Sequence, residues 1–383
     1  MRTPRWLTDG VLFFAAALAL LLPFPWRLAP FWTKLTTAVF DPLLTPLALT
    51  LDPGHRSAYP VSDSLQQWLL AGLLLLAAIL PALLLNRRAG WVERRERAQR
   101  ALRAGLSLYL ATVLLVYGCD KLFKAQFYLP EPNTLYTPLG QLDKDILYWS
   151  TVGTSYSYNL FLGGTEVLAA VLVFFTRTRR AGLLLTAGTM AQVLAVNLCF
   201  GITVVLFSGF LLFVSLLLLA PDAGRLFAVL SGRAAAAAPV VPRAPLWCVV
   251  LKAFIGFLAL AEALYPSLRS GHWNDDRAPR PLLHGAYEVL SGALSPTIGP
   301  PPVRLFVHRR GYLVFQDSAG FRSFPLQVRD EHLVVTYPNG RTRTTVPYVY
   351  HLRDSVLTVM RPSGDTVLLR ARMLDWRSLP ALR

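Results

Sequence analysis

Charged residues are scarce in this chain of 383 residues. Asp, Glu, Lys and Arg together make up only 16% of it, whereas 54% of the residues are hydrophobic. A soluble globular protein carries about a quarter charged residues. The apolar residues also fall in long blocks rather than being spread evenly. The composition therefore predicts an integral membrane protein and excludes a soluble cytosolic enzyme.

Cysteine and histidine, the common ligands of metals and haem, are also scarce. The three cysteines form no CxxC pair, so a thioredoxin-type or zinc motif is excluded. None of the six histidines lies within an apolar block, which argues against a haem held in the membrane. Glycine-rich phosphate loops and nucleophile elbows are absent as well. These absences leave the cofactor unknown.

Lysine is scarce too, although the formal net charge is +16. Arginine supplies nearly all of the basic residues, which a GC-rich codon bias explains. A basic protein often binds nucleic acid. Here much of the excess charge lies in short loops beside apolar blocks. We therefore expect the lipid bilayer as a partner, and no nucleic acid.

Seven apolar segments have the length of about 20 residues that a membrane-spanning helix needs. They cover residues 6–26, 66–86, 101–121, 156–176, 180–200, 202–221 and 246–265. The first segment is followed by Pro23, Phe24 and Pro25 instead of a small-residue cleavage site. We therefore interpret it as an uncleaved helix and not as a signal peptide.

The loops between these segments predict their orientation. Most basic loop residues lie in the N-terminus and in loops 86–103, 177–180 and 222–245. Loops rich in Lys and Arg face the cytoplasm. We therefore expect the N-terminus in the cytoplasm and everything after the seventh segment outside it, in a periplasm or its equivalent.

The chain divides into five predicted regions. They are two N-terminal spans with an outer loop and a basic cytoplasmic loop (1–96), a four-helix membrane core (97–222), an Ala/Pro linker (223–245), a seventh span (246–266) and an extracytoplasmic β-rich domain (267–383). Segment 91–103 is expected to extend the third span as a helix. The aromatic loop 122–155 is expected to fold over the outer mouth of the bundle, with a short interfacial helix at 142–150.

The C-terminal region changes from apolar blocks to short alternating runs separated by turn residues. Eight strands are predicted, at 287–290, 303–308, 311–316, 321–328, 331–337, 343–350, 353–360 and 365–371. Their regular succession predicts an antiparallel meander that forms a small barrel or sandwich. Such a fold either holds a small apolar ligand or is a packed interaction module.

Glu166 is the strongest candidate for a functional residue, because an ionisable residue deep in the bilayer is costly. It lies ten residues into the fourth span, about 15 Å deep and near the midplane. Asn159 and Gly163 precede it on roughly the same face, and Gly163 and Gly164 allow another helix to approach. Glu166 is either a proton-handling or ligand-binding carboxylate, or a structural one.

Other polar residues lie in the third and fifth spans. Tyr117 and Lys121 share one helix face. Lys121 either pairs with Glu166 or extends to the outer interface. Gln192 and Asn197 either line a ligand cavity or form hydrogen bonds between helices.

Charged and thiol groups also lie at the ends of the spans. Asp120 and Lys124 are spaced as an ion pair on one helix face, and Glu262 is expected to extend to the interface. Cys119 and Cys199 lie at the predicted outer ends of the third and fifth spans, where a disulfide is chemically allowed. Buried free thiols are the alternative.

The stretch from Tyr117 to Asp222 resembles the DoxX-like family of bacterial four-helix membrane proteins. The resemblance is carried by Tyr117, Lys121, Gln126-Phe127, Pro130, the run 149–166, Arg177-Thr-Arg179, the run 194–197 and Pro221-Asp222. The ending Trp376 to Pro380 resembles that of relatives with a β-rich, lipocalin-like domain. The chain departs from the family pattern at Ala169-Ala170 and at Phe200-Gly201.

The resemblance implies a quinone-linked or thiol-linked redox component of the bacterial cytoplasmic membrane that acts with an envelope redox partner. Glu166, Lys121 and Tyr117 are then the candidate catalytic residues. The cofactor stays unknown, and a quinone is the candidate that this resemblance offers. The candidate ligand-binding residues are Asn159, Gln192, Asn197 and Gln126. The alternatives are a membrane-anchored scaffold or small-ligand binder that presents the β domain and, ranked last, a proton-coupled transporter.

Overall fold

The computed structural model describes residues 4–54, 59–233, 245–292, 300–318, 320–329, 331–336, 343–361, 363 and 366–382. The chain splits into two compact units. Met1–Gln126 and Ser157–Trp273 form a helical unit, and Phe127–Tyr156 and Asn274–Arg383 form a barrel unit. The stretch from Tyr117 to Asp222 therefore contributes its long helices to the helical unit and its long loop to the barrel unit.

The described residues contain eleven α-helices. They are α1 (Arg5–Leu21), α2 (Pro30–Leu51), α3 (Leu65–Asn86), α4 (Ala89–Leu122), α5 (Pro132–Leu135), α6 (Lys144–Thr154), α7 (Tyr156–Phe174), α8 (Arg179–Phe200), α9 (Val205–Leu219), α10 (Ala223–Leu230) and α11 (Leu246–Ser270). The short α5 and α6 lie in the barrel unit. The helical unit therefore contains all the long helices.

Six helices within the described residues are long and apolar enough to cross a membrane, and they include α3, α4, α7, α8, α9 and α11. They coincide with the second to seventh predicted spans. Helix α1 covers the first predicted span but has only 17 residues, ending at Leu21. Pro23 and Pro25 follow, and a proline disfavours helical backbone at the residue before it. The helical membrane class is thus confirmed with six long apolar helices.

Helix α2 was not predicted, because its composition hides it. Its interior contains Pro42 and Pro46, which remove backbone donors from the helix. Threonine hydroxyls supply extra hydrogen bonds along the same helix. Thr37 donates to the carbonyl of Thr33 at 2.7 Å, and Thr50 donates to that of Pro46 at 2.9 Å. An interrupted apolar pattern therefore still forms a helix of 22 residues.

Helix α4 is continuous over 34 residues and includes the predicted helical extension 91–103. The extension contacts α1 through Asp9, which is almost fully buried. Its carboxylate accepts hydrogen bonds from Arg95 Nε at 3.0 Å and from Gln99 Nε2 at 2.6 Å. Asn86 also donates to it, at 2.7 Å. One buried carboxylate thus ties α1 to the end of α3 and to α4.

The predicted linker 223–245 is helical in its first part. Helix α10 occupies Ala223–Leu230, directly after the turn Ala220–Asp222 that ends α9. Residues 234–244 of the predicted linker lie outside the described residues. The next described helix, α11, begins at Leu246.

The barrel unit contains eight antiparallel strands that close into a barrel in sequential order. They are β1 (Gly285–Gly292), β2 (Arg304–His308), β3 (Tyr312–Asp317), β4 (Gly320–Arg329), β5 (His332–Thr336), β6 (Arg343–His351), β7 (Val356–Met360) and β8 (Val367–Met373). β1 pairs with β8, placing Val289 opposite Ala371. All eight predicted strands are confirmed. Leu305, Phe315, Val346 and their neighbours fill the interior.

The long loop 127–156 belongs to the barrel unit, with α5 and α6 inside it. Its Tyr136 ring packs on Phe306 of β2 with ring centroids 5.8 Å apart. Phe306 belongs to a buried cluster outside the barrel interior, together with Ala286 and Trp376. The structure packs this loop on the barrel wall, and its expected place over the outer mouth of the helical bundle stays a prediction. Helix α6 confirms a helix near 142–150.

Candidate functional site

Helices α4 and α7 approach each other most closely at two glycines. A Cβ atom on Gly163 would lie 2.6 Å from the carbonyl oxygen of Gly118, and one on Gly118 would lie 2.9 Å from that of Gly163. Small residues allow such backbone contact between helices. A Cβ on Gly164 would meet nothing within 4 Å. Of the two glycines predicted to admit a neighbouring helix, Gly163 therefore does so against α4.

The crossing brings Lys121 and Glu166 together. Lys121 Nζ lies 2.7 Å from Glu166 Oε2, and the two side chains are only 7% and 3% exposed. Each residue lies three positions after its glycine, so both point into the same buried space beside the contact. An unpaired charge there would carry a large desolvation cost, which the partner offsets. Of the two predicted positions for Lys121, the structure has the one paired with Glu166.

Aromatic rings border the pair on the side of α4. Lys121 Nζ lies 5.5 Å from the centre of the Tyr117 ring, within the range of a cation–π interaction. The Tyr117 ring packs edge-on against Phe24 and Phe207, with centroids 5.8 Å and 6.2 Å away. Phe24 and Phe207 stack on each other. The ion pair therefore has an apolar aromatic wall beside it.

A second, partly buried charge cluster lies next to the pair and was not found from the sequence. Arg27 binds both carboxylate oxygens of Asp120, at 2.6 and 2.5 Å. Glu262 of α11 accepts hydrogen bonds from the backbone N–H groups of Arg27, at 2.5 Å, and Leu28, at 2.9 Å. Glu262 is therefore buried and bonded, and the prediction that it extends to the interface was wrong.

Asp120 and Lys124 do not form the predicted i, i+4 pair of a helix. Helix α4 ends at Leu122, and Lys124 follows with a positive φ of 59°. The carbonyl of Asp120 accepts the N–H groups of Ala125 and Gln126 in the turn that ends the helix. The pairing rule requires a continuous helix, so it does not apply at this end. The side chain of Asp120 binds Arg27 instead.

The predicted ligand-binding residues are only partly collected at this site. Asn159 is buried on α7, on the side that faces the core. Gln126 is half-buried in the turn after α4. Asn197 donates from Nδ2 to Ser208 Oγ of α9 at 3.0 Å, so it joins two helices. Gln192 is exposed on α8 and does not line a buried site.

The cysteines are free thiols in the structure. Cys119 is buried beside Asp120, and Cys199 is exposed near the end of α8. The structure therefore does not join them by the disulfide that their positions at the span ends allowed. Over the described ranges, no group of three His, Cys, Asp or Glu residues is placed to hold a metal ion.

Comparison with known proteins identifies a distant relative. The chain is 31% identical over 128 residues to the uncharacterized protein YwoB of Bacillus subtilis. The match covers 33% of this chain and 81% of that protein. The chain belongs to the YwoB family. No family model matches it, and no solved structure matches it.

This member of the YwoB family has another buried charge cluster in its barrel unit. Glu131, just before α5, accepts a hydrogen bond from the backbone N–H of Arg309 at 3.2 Å and contacts His284 Nε2 at 3.1 Å. Arg309 Nε lies 3.2 Å from its other oxygen, and His308 Nε2 lies 3.8 Å away. The Arg309 guanidinium also lies 3.5 Å from the centre of the Tyr128 ring. The loop is thus bound to the barrel through one carboxylate.

The electrostatics of this cluster favour ionised Glu131 beside neutral His308. Burial raises the pKa of Glu131, but the hydrogen bond from His284, the charge of His308 and the Arg309 N–H together hold it below its usual value of 4.5. Burial lowers the pKa of His308 below its usual 6.5, and Arg309 and Arg310 add to this against the opposing effect of Glu131. Both folded pKa values lie below the unfolded ones, so stability falls as pH falls.

We expect the barrel unit to lose stability on acidification. The His308 contribution declines as pH falls below about 6.5, and the Glu131 contribution is lost below about 4.5. Glu131→Gln should lower the Tm of the unit at pH 7 by about 5–10 °C, equivalent to about 1–2 kcal/mol, and flatten its pH dependence below pH 5. Thermal melts of the detergent-solubilised chain at pH 4–8 measure this.

The matched control is Glu288→Gln, because Glu288 is an exposed carboxylate on β1 of the same unit. This variant should melt like the wild type at every pH. An unchanged Tm for Glu131→Gln at pH 7 would contradict a role for Glu131 in holding the loop.

Proposed function

We propose that the chain is a DoxX-like redox component of the cell envelope, which binds a lipid-soluble quinone at the Lys121–Glu166 pair. The observation that carries the proposal is this buried ion pair about halfway along a membrane-length helix. Buried charges at such a depth are rarely kept without a function. Tyr117 and Phe24 supply an apolar wall of the kind that a flat quinone ring packs against.

Lys121 and Glu166 fit two requirements of quinone reduction, which are a hydrogen bond to a carbonyl oxygen and a group that transfers protons. A quinone supplies a two-electron couple whose reduction also takes up two protons. Lys121 Nζ is a hydrogen-bond donor suited to a carbonyl oxygen, and the Glu166 carboxylate can hold a proton and release it. A row of hydrogen-bonded polar groups extends away from the pair through Asp120, Arg27 and Glu262. The electrons come from an envelope redox partner protein.

The positions of the thiols favour the quinone-linked over the thiol-linked form of this proposal. Thiol–disulfide exchange requires an accessible thiolate. Cys119, the thiol nearest the pair in sequence, is only 6% exposed. Cys199 is exposed but has no described cysteine partner. A lipid-soluble carrier, in contrast, can enter between helices from the bilayer.

The test is mass spectrometry of the quinones that co-purify with the full chain in mild detergent. Wild-type protein should be enriched in ubiquinone or menaquinone relative to the extracted membrane. Glu166→Gln should lose that enrichment. Glu96→Gln, at an exposed position on α4, should keep it. Equal quinone content in Glu166→Gln and wild type would overturn the assignment of the site.

The proposal includes a membrane topology. We place the chain in a bacterial cytoplasmic membrane with the N-terminus in the cytoplasm, α1 as a seventh and shorter span, and the barrel unit outside. The excess of Lys and Arg in alternate loops supports this orientation. Alkaline phosphatase fused after Arg383 should be active, and a cytoplasmic fluorescent reporter fused there should be dark. The reverse pattern would contradict the topology.

A further inference from the structure

The barrel has an interior cavity that its own side chains leave unfilled. The cavity measures about 90 Å³. Its lining residues come from seven of the eight strands and include Leu305, Phe315, Phe324, Val346 and Leu357. The eighth strand, β1, places the fully buried Tyr287 in the core, where its hydroxyl donates to the carbonyl of Leu283 at 2.8 Å. Tyr287 is paired with Leu305, one of the residues that line the cavity.

Strand register shows that the cavity reaches one end of the barrel. Val335 and Thr344, which both line it, are paired next to the last residue of β5 and the first residue of β6. Val359 and Leu369 are paired near the end of β7 and the start of β8. Glu131 and His308 mark the opposite end, where β2 finishes and the loop is bound. The loop contact at Glu131 is thus at the other end of the barrel from Val335, Thr344, Val359 and Leu369.

The chemistry of the lining selects an apolar occupant. Among the described residues, those that line the cavity are hydrocarbon or aromatic except Thr344, which carries a hydroxyl. Ordered water needs two to four polar partners, so an apolar space of this kind stays dry. A volume of 90 Å³ equals about three water volumes and is smaller than the cavity of about 150 Å³ that accepts benzene. It suits the tip of a hydrocarbon chain.

The positive charge of two arginines at this end of the barrel favours a ligand with an anionic head group. Arg343 precedes Thr344 at the start of β6, and Arg361 follows the end of β7. Both arginines are exposed. The chain beyond residue 266 contains 16 arginines, nine acidic residues and no lysine. Arginine binds carboxylate and phosphate oxygens through its planar fork of donors.

We propose that the barrel binds a single-chain anionic amphiphile, with its hydrocarbon tip in the cavity and its carboxylate at Arg343 and Arg361. This site is independent of the quinone proposal, since every residue of it belongs to the barrel unit. Fatty acids are the simplest ligands of this class. Tip burial supplies affinity through apolar contact, and the arginines select the charge of the ligand.

In the first experiment, full-length protein in detergent is titrated with saturated carboxylates of four to twelve carbons, and calorimetry measures the affinity of each. Affinity should rise about fourfold for each methylene that enters the cavity and then level off once it is full. Alkyl trimethylammonium ions of equal length should bind at least tenfold more weakly. A continued rise without a plateau, or equal binding of the cations, indicates mere partition into detergent and overturns the proposal.

The second experiment uses two variants of the same strand. Val346→Phe fills the cavity, whereas Val349→Phe adds the same ring to the exposed face of β6. Decanoate affinity should fall at least tenfold in the first variant and stay within twofold in the second. Thr344→Phe, at the cavity end of the strand, provides a second filled variant if Val346→Phe melts early. Undiminished decanoate binding in a folded filled variant overturns the proposal.

Discussion

Replacing Lys121 with methionine is expected to lower the free energy of unfolding of the helical unit by about 3–5 kcal/mol. The substitution leaves the Glu166 carboxylate buried without the ammonium that lies 2.7 Å from it. Removing one partner of a buried pair costs this much because the remaining charge loses its compensation. Unfolding titrations with a denaturing detergent, followed by circular dichroism, measure the loss.

The double variant Lys121→Met/Glu166→Leu is the informative companion. It removes both charges and fills the site with side chains of similar volume, so most of the lost stability should return. Lys34→Met is the matched control, because Lys34 is exposed on α2, and it should change stability by less than about 0.5 kcal/mol. A loss below 1 kcal/mol for Lys121→Met would contradict a tight buried pair.

Gly163→Ala is expected to destabilise the helical unit by about 1–3 kcal/mol. Its new Cβ would lie 2.6 Å from the Gly118 carbonyl oxygen and 3.0 Å from the Leu122 backbone nitrogen. Helices α4 and α7 must then move apart, which also lengthens the distance from Lys121 to Glu166. Co-purified quinone should decrease together with stability, as measured by the same unfolding titration and by mass spectrometry.

Gly164→Ala is a control one residue away. A Cβ on Gly164 meets nothing within 4 Å, and alanine has the higher helix propensity. This variant should be neutral or more stable than the wild type by up to about 1 kcal/mol. Equal effects of the two substitutions would show that α4 and α7 do not touch at Gly163.

The sequence predicted secondary structure best where a single pattern of apolar residues continues through a whole helix or strand. All eight strands of the barrel were predicted, because alternation and turn residues mark each of them. The six long apolar helices were predicted from length and hydropathy. Helix α2 was missed because Pro42, Pro46 and Asp41 interrupt its apolar pattern. Its threonine hydrogen bonds are visible only in the folded chain.

Single residues of the candidate site could be predicted from the sequence, but the contacts between residues of different helices could not. Glu166 and Tyr117 stand out from the sequence because polar groups are rare in apolar segments. The contacts of Arg27 with Asp120 and Glu262 span 93 and 235 positions, and no local spacing rule reaches that far. Glu131 and its histidines were missed for the same reason. The end of a helix caused a further error, because Lys124 lies beyond α4 and the i, i+4 pair predicted with Asp120 does not form.

Photo-crosslinking with an azido-quinone shows directly whether a quinone binds at the Lys121–Glu166 pair. The full chain in native-like membranes is irradiated with the probe, digested and mapped by mass spectrometry. We expect label on peptides of α4 and α7 that contain Tyr117, Lys121 or Glu166. Unmodified quinone should compete with the label, and Glu166→Gln should lose it. Label confined to exposed residues of α3, such as Trp68 and Leu76, and indifferent to competitor would contradict a quinone site at the buried pair.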